Sequence, residues 1–316
     1  MALGDFSGVI PPQMSAQIIQ EATRASAALQ LAQTVPMGTS VAQMPVPKTL
    51  PVASWVTAAT GRKPYTDIGL QPATLTAEEV AAVIAIPDKM IEDTSINLWN
   101  YARPLLAQAI GRALDGAVLF GVNAPASFPV GGVYGRAVAV TAGTDALDTV
   151  NKAMAQVEGQ GLAPTGHAAH LTVRSLLRGL RATTGELILG STVIEGYSVP
   201  TIYGLPVAYT PFQGSTGATP GDLITGDWNY LVIGVRSDIR YEIDPSAVIA
   251  DAAGVVLVSG FQDNVTPMKV WARFGAVVID PVTVIVPGGA KAFAKADTHA
   301  ASGVGPTGAN GAGTKK

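Results

Sequence analysis

The sequence predicts an α+β fold: a mixed body of helices and strands from which an arm and a long hairpin project. Three observations point there. A stretch with four prolines (Pro36, Pro45, Pro47 and Pro51) precedes two runs of strand character around a polar tip. One long amphipathic helical pattern follows, over Ile96–Phe120. Beyond it, short apolar runs alternate with helical periodicity and turn residues.

Residues 13–33 place Ile18, Ala22, Ala25, Leu29 and Ala32 at spacings of three and four, the stripe of an amphipathic helix. The prolines then fix φ and disfavour helix in the residue before each, so 34–51 reads as an extended arm. Val52–Ala58 reads as a strand, Thr60–Gly69 as a polar turn and Ala73–Pro87 as a second strand. The tip carries Arg62, Lys63, Tyr65 and Asp67. A two-stranded hairpin is marginal alone. This one is expected to lie on another surface, that of a neighbouring subunit.

Asp93, Thr94 and Ser95 offer N-caps for the helix Ile96–Phe120, which would be about 35 Å long. Leu106, Ala109, Ile110, Ala113, Ala117 and Phe120 form its apolar stripe, with Gln108, Arg112 and Asp115 on the polar side. Pro104 is expected to kink this helix or to start a second one. Gly121 is a plausible C-cap. The loop after it holds Pro125, Pro129, Gly131 and Gly132 but no Lys to reach a phosphate. It also follows a helix C-terminus, where carbonyls are exposed, so it reads as a joint rather than an anion site.

The remaining pattern is mixed. Asp145–Gly161 reads as a helix, Ala168–Val173 as a strand and Arg174–Thr183 as a helix. Strands follow within Thr201–Pro211, Asp222–Asp244 and Thr266–Pro287, the last broken at Asp280–Pro281. The Gly/Ala-rich tail 289–316 has no apolar periodicity and is expected to be disordered.

Composition narrows the function. Charged residues make up 14% and apolar residues 48%, against about 25% charged in a typical soluble domain. Such a surface needs covering by partners or by a membrane. A membrane is disfavoured, because no run reaches the roughly 20 apolar residues a span needs. The N-terminus shows no secretion pattern, which disfavours a secreted adhesin, and there is no Cys. The net charge of −3 without a Lys/Arg cluster does not suit tight nucleic-acid binding.

No constellation for chemistry emerges. The Gly303–Gly308 segment has dinucleotide-fingerprint spacing but neither a preceding strand nor a following helix. His167 and His170 lack further ligands and read as a surface pair. Glu78–Glu79 and Glu92–Asp93 read as solvated or intersubunit charge. No catalytic, cofactor or metal site is expected, and a mixed α/β enzyme is the remote alternative.

Four stretches, in order, resemble the major capsid proteins of tailed bacteriophages, the Hong Kong 97 fold. These are Val80–Gly121, Ile202–Pro211, Leu223–Asp244 and Gly260–Gly288. The first looks like that family's strand, acid-Ser/Thr cluster and spine helix. The others look like its Gly-x-Pro-Val strand, its Gly-Asp-aromatic strand pair and its closing strands. The resemblance implies an N-terminal arm at 1–45 and an extended loop at 46–90. It implies a peripheral domain at 91–139 and 256–288, with spine helix 96–120, and an axial domain at 140–255. It also implies a shell of pentamers and hexamers around packaged double-stranded DNA, assembled in the bacterial cytoplasm. The partners would be copies of the chain itself, with separate scaffolding, portal and decoration proteins where these exist. Trp55, Arg62, Lys63, Tyr65 and Asp67 are the candidate intersubunit contacts, since aromatics and Arg are enriched at interface hot spots. Some members crosslink through a Lys in this loop. Lys63 stands at the tip, but the sequence marks no Asn and Glu partners. An encapsulin-type compartment of the same fold is the nearest alternative.

Overall fold

The computed structural model describes residues 26–56, 63, 65–93, 98–179, 201–210, 223–251, 253–283, 286 and 289–298. In chain order the first elements are α1 (Ala27–Leu31), β1 (Gln33–Pro36), β2 (Val41–Pro47), β3 (Leu70–Thr76), β4 (Glu78–Pro87), α2 (Asp88–Asp93) and α3 (Leu98–Phe120). There follow α4 (Gly132–Arg136), β5 (Val138–Ala139), α5 (Ala146–Glu158), β6 (Gly166–His170), α6 (Leu171–Gly179), β7 (Thr201–Ile202), β8 (Leu205–Thr210) and β9 (Leu223–Gly226). The rest are β10 (Leu231–Ile243), β11 (Val248–Ala250), β12 (Val256–Ser259), α7 (Gly260–Asp263), β13 (Val265–Val278) and β14 (Phe293–Ala296).

Two sheets organise these elements. The first has strand order β1-β10-β13-β4, antiparallel except where β1 joins β10 in parallel. Strand β4 alternates as period-two patterning requires: Val80, Ala82, Ile84 and Ile86 are half-buried, while Glu79, Ala81, Val83 and Ala85 are exposed. Helix α3 shares this sheet's core, with Leu106, Ile110, Leu114 and Val118 clustered with Met268, Val270 and Phe274. The second sheet has order β5-β14-β9-β6-β8-β7. Its own core joins Val150, Ala153 and Val157 of α5 to Val173 and Leu177 of α6. The Asp145 side chain caps α5 by accepting from the Asp148 N–H, as its position before the apolar stripe predicts. Trp228 lies between the sheets in sequence and is 1% exposed. Its indole N–H donates to the Gly166 carbonyl at 2.9 Å, and Phe293 meets its ring edge-on at 5.2 Å.

Several expectations shift. Pro104 neither ends α3 nor divides it, because burial of the long stripe outweighs the roughly 3 kcal/mol cost of an interior proline. Asp93 closes α2 instead of capping α3, and the other two cap candidates, Thr94 and Ser95, lie outside the described residues. Strand β10, which the sequence groups with 140–255, belongs to the first sheet and pairs with β13. Among the described residues of 282–287 no strand follows Asp280–Pro281; Asp280 instead accepts ion pairs from Arg136 and Lys291. The tail begins as structure: β14 sits between β5 and β9, with Phe293 and Ala294 buried. Four residues of modest strand propensity give no sequence signal; the open slot between two strands supplies the pairing. Residues 299–316, with the Gly303–Gly308 motif, and residues 13–25 of the N-terminal helical pattern lie outside the described residues.

Candidate assembly surfaces

The hairpin forms lower on the chain than its sequence suggests. Strands β2 and β3 pair antiparallel from Val41↔Thr76 to Pro47↔Leu70. Seven residues per strand span about 23 Å. Two residues near its ends are buried: Val46 at 7% and Leu75 at 0% exposure. Leu75 enters a small cluster with Met37, Ala77 and Val232, which ties the hairpin base to the first sheet. Pairing stays at this level because Pro47 and Pro51 supply no backbone donors for a ladder beyond it. Above it, side chains bridge the two arms. Gly69 N donates to Thr49 Oγ1 at 2.7 Å, and Thr66 Oγ1 donates to the Val52 carbonyl at 3.1 Å. Val52–Val56 carries no strand.

Trp55 is fully exposed at 101% and Tyr65 is exposed at 88%. Lys63 and Asp67 are also exposed, and Arg62 lies outside the described residues. The structure thus holds Trp55, Lys63, Tyr65 and Asp67 on one projecting loop, whose aromatic surface its own chain leaves uncovered.

A second feature was hidden in the sequence. Asp115, expected on the polar side of the long helix, is 0% exposed. Its carboxylate accepts from Ser26 Oγ at 2.6 Å, Ala27 N at 2.9 Å and Ala28 N at 3.0 Å. The Thr210 side chain adds a further hydrogen bond. Ser26 in turn accepts from Leu29 N and caps α1. One carboxylate therefore fastens the start of α1 to α3 and to β8 of the second sheet. Burial pushes the Asp115 carboxyl above the usual carboxylate range, and the bonds from Ser26, Ala28 and Ala27 oppose that rise. The only available signal was the pairing of Ser26, a good N-cap, with a helix acid; nothing in spacing joins residues so far apart.

The loop after α3 is a joint. Gly121 sits at φ 68° and donates to the Ala117 carbonyl at 3.0 Å, closing the helix in the left-handed conformation. A Cβ on Gly121 would stand 2.6 Å from Gly131 Cα, so the loop's ends pass backbone against backbone. Beside it lies an apolar cleft of about 180 Å³, lined by Ala113, Ala117, Pro125, Phe128 and the acids Glu78 and Glu79. Ser127 Oγ donates to Glu78 at 2.7 Å. This lining does not suit a phosphate.

The histidines do not form a surface pair. His167 is fully buried, with Nδ1 2.9 Å from Thr225 Oγ1, whereas half-buried His170 meets Thr172. Three residues apart on a strand, they point to opposite faces and share no ligand. Burial lowers the His167 imidazole from 6.5 to about 4, partly offset by the Ile202 backbone. Among the described residues no cluster of His, Asp or Glu could hold a metal ion, and no helix is long and apolar enough to cross a membrane.

Comparison with known proteins places the chain in a family. Residues 7–288 match the phage capsid family. The chain is 24% identical over 279 residues to the probable major capsid protein gp17 of Mycobacterium phage D29, covering 85% of this chain and 86% of that one. A solved structure from Microbacterium phage Oxtober96 aligns with TM-score 0.70 and 27% identity, over 94% of this chain and 96% of that one. One from Mycobacterium phage Bobi aligns with TM-score 0.71 and 26% identity, over 86% and 90% respectively. This mixed helix-and-strand chain belongs to the phage capsid family and is a structural, major capsid protein of a tailed bacteriophage.

Proposed function

We propose that the chain closes as both pentamers and hexamers into an icosahedral shell around double-stranded DNA, with the domain plan of the Hong Kong 97 fold. In this reading α3 and the first sheet form the peripheral domain, and the second sheet with α5 and α6 forms the axial domain. The hairpin from Val41 to Thr76 is the extended loop that crosses a neighbouring copy. Assembly takes place in the host cytoplasm, with scaffolding, portal and decoration proteins as separate chains where present. DNA is enclosed without sequence-specific contacts. The relatives are phage capsid proteins, which favours this shell over an encapsulin-type compartment.

The supporting observation is the hairpin itself. Its base is buried against its own chain at Leu75, yet Trp55 and Tyr65 beyond it are bare. Burying such an aromatic removes about 150–250 Å² from water. At about 25 cal/mol per Å² this contributes roughly 4–6 kcal/mol per ring before ordering costs. Trp55, Arg62, Lys63, Tyr65 and Asp67 are the residues assigned to that contact. Because each subunit makes several contacts at once, modest ones combine into a stable shell. Deleting Gly61–Gly69 tests the reading. The variant should remain a folded subunit and fail to form closed shells by electron microscopy. Normal shells from it would refute the role of the loop.

A further inference from the structure

Strand β10 falls out of step with β13 twice, between Val235 and Ser237 and between Ser237 and Arg240. Such bulges re-aim side chains out of the ladder and are over-represented next to functional sites. On its other side β10 pairs with β1 no further than Pro36↔Val235, so beyond Val235 that edge has no strand partner among the described residues. A cavity of about 460 Å³ lies there, lined among others by Thr34, Met37, Arg236, Ser237 and Arg240. Arg236 Nη1 donates to the Gly38 carbonyl, which holds its guanidinium against the bend after β1. Arg240 is exposed, and the register sets Arg273 of β13 opposite Ser237. Ser237 Oγ, Arg236 Nε and Arg273 Nε are all buried without a hydrogen-bond partner. Buried polar atoms are almost always paired, so a cluster of orphans at a cavity calls for an acceptor from outside the chain. Arg236, Arg240 and Arg273 also make no ion pair among the described residues. In sequence, Asp238 is the one acid within Arg236–Arg240, so that segment is net positive and Arg273 adds to it.

We propose that this cavity binds a terminal phosphate group, with Arg236, Ser237 and Arg240 as donors and Arg273 as supporting positive charge. All of these groups can donate, and a guanidinium can only donate. Guanidinium forks match phosphate oxygens, and charge-assisted bonds of this kind are the strong ones. A terminal phosphate carries close to two negative charges and three strong acceptor oxygens, one for each donor side chain. A carboxylate offers two oxygens and one charge, and a DNA diester likewise brings one charge. The site therefore suits inorganic phosphate or a phosphomonoester and leaves the weak binding of duplex DNA unchanged. It belongs to a single subunit and is separate from shell assembly. No sequence run announces it, because β-sheet register brings Arg273 to a bulge more than thirty residues away.

Phosphorus NMR of inorganic phosphate, titrated with the full-length subunit at constant ionic strength, tests the site. Saturable line broadening is expected. Arg240→Gln and Ser237→Ala, each first matched to wild type by circular dichroism, should weaken binding about tenfold or more, since each removes a hydrogen bond to a charged group. Arg112→Gln, exposed on α3, should leave it unchanged. Competition with adenosine monophosphate separates the two sources. Displacement at concentrations below those of phosphate assigns a phosphomonoester, weaker displacement assigns free phosphate, and either supports the site. Broadening that does not saturate, affinity unchanged in both variants, equally effective displacement by acetate, or tighter displacement by a short DNA duplex would each overturn the proposal.

Discussion

Replacing Asp115 with Ala should loosen the N-terminal end of the structure more than any comparable change on α3. The substitution leaves the buried donors of Ser26, Ala27 and Ala28 without their acceptor. Each orphaned buried donor costs about 1–3 kcal/mol. Part of that is recovered, because the carboxylate no longer has to be held ionised in a buried site, a cost visible in its raised pKa. The net loss should be about 3 kcal/mol. Asp115→Asn keeps the shape and one acceptor oxygen but turns amide hydrogens toward N–H donors, for a loss of about 2 kcal/mol. Arg112→Ala, one turn earlier and exposed, should stay within about 0.5 kcal/mol. The assay is urea unfolding of the unassembled subunit, followed by tryptophan fluorescence. A loss for Asp115→Ala below about 1 kcal/mol would refute the anchor.

Other outcomes follow from the same geometry. With its imidazole lowered from 6.5 to about 4 by burial, His167 is protonated more readily in the unfolded chain, so stability present above pH 6.5 is lost as pH falls toward 4. The full loss is about 3 kcal/mol, and His167→Gln should flatten the unfolding midpoint across that window; an unchanged slope would count against it. Asp115 works the other way: its raised pKa means that the cost of the buried charge is relieved as pH falls through that pKa toward 3.8. Gly121→Ala combines φ 68° with a backbone clash at 2.6 Å and should cost at least about 2 kcal/mol in the same unfolding assay. The purified subunit should bind duplex DNA weakly, and filter binding at physiological salt with Kd below about 1 µM would contradict the charge argument.

The sequence carried those parts of the fold where a local pattern and its burial agree. The capped α5 and the alternation of β4 belong there, because each buries one face that its own spacing defines; the α3 stripe holds at Leu106, Ile110 and Ala117, while Ala109 and Ala113 are exposed. Hidden parts depend on residues far apart. β14 exists because β5 and β9 leave a slot for it, and Asp115 looks polar until Ser26 and Ala27 arrive. Pro104 starts no second helix, because the long-range packing of α3 exceeds the local penalty. The hairpin was legible as a hairpin but misplaced along the chain, since its register is set by where Val46 and Leu75 can be buried. The exposure of Trp55, Lys63, Tyr65 and Asp67 on this loop was the more readable feature. Exposed aromatics on a proline-flanked hairpin are visible in the sequence, whereas a surface that would cover them is not.

Cryo-electron microscopy of the full-length chain expressed on its own tests the central claim most directly. The account predicts closed shells in which the loop bearing Trp55 and Tyr65 lies against the adjacent copy. A dispersed monomer, or shells in which that loop folds back on its own subunit, would contradict it.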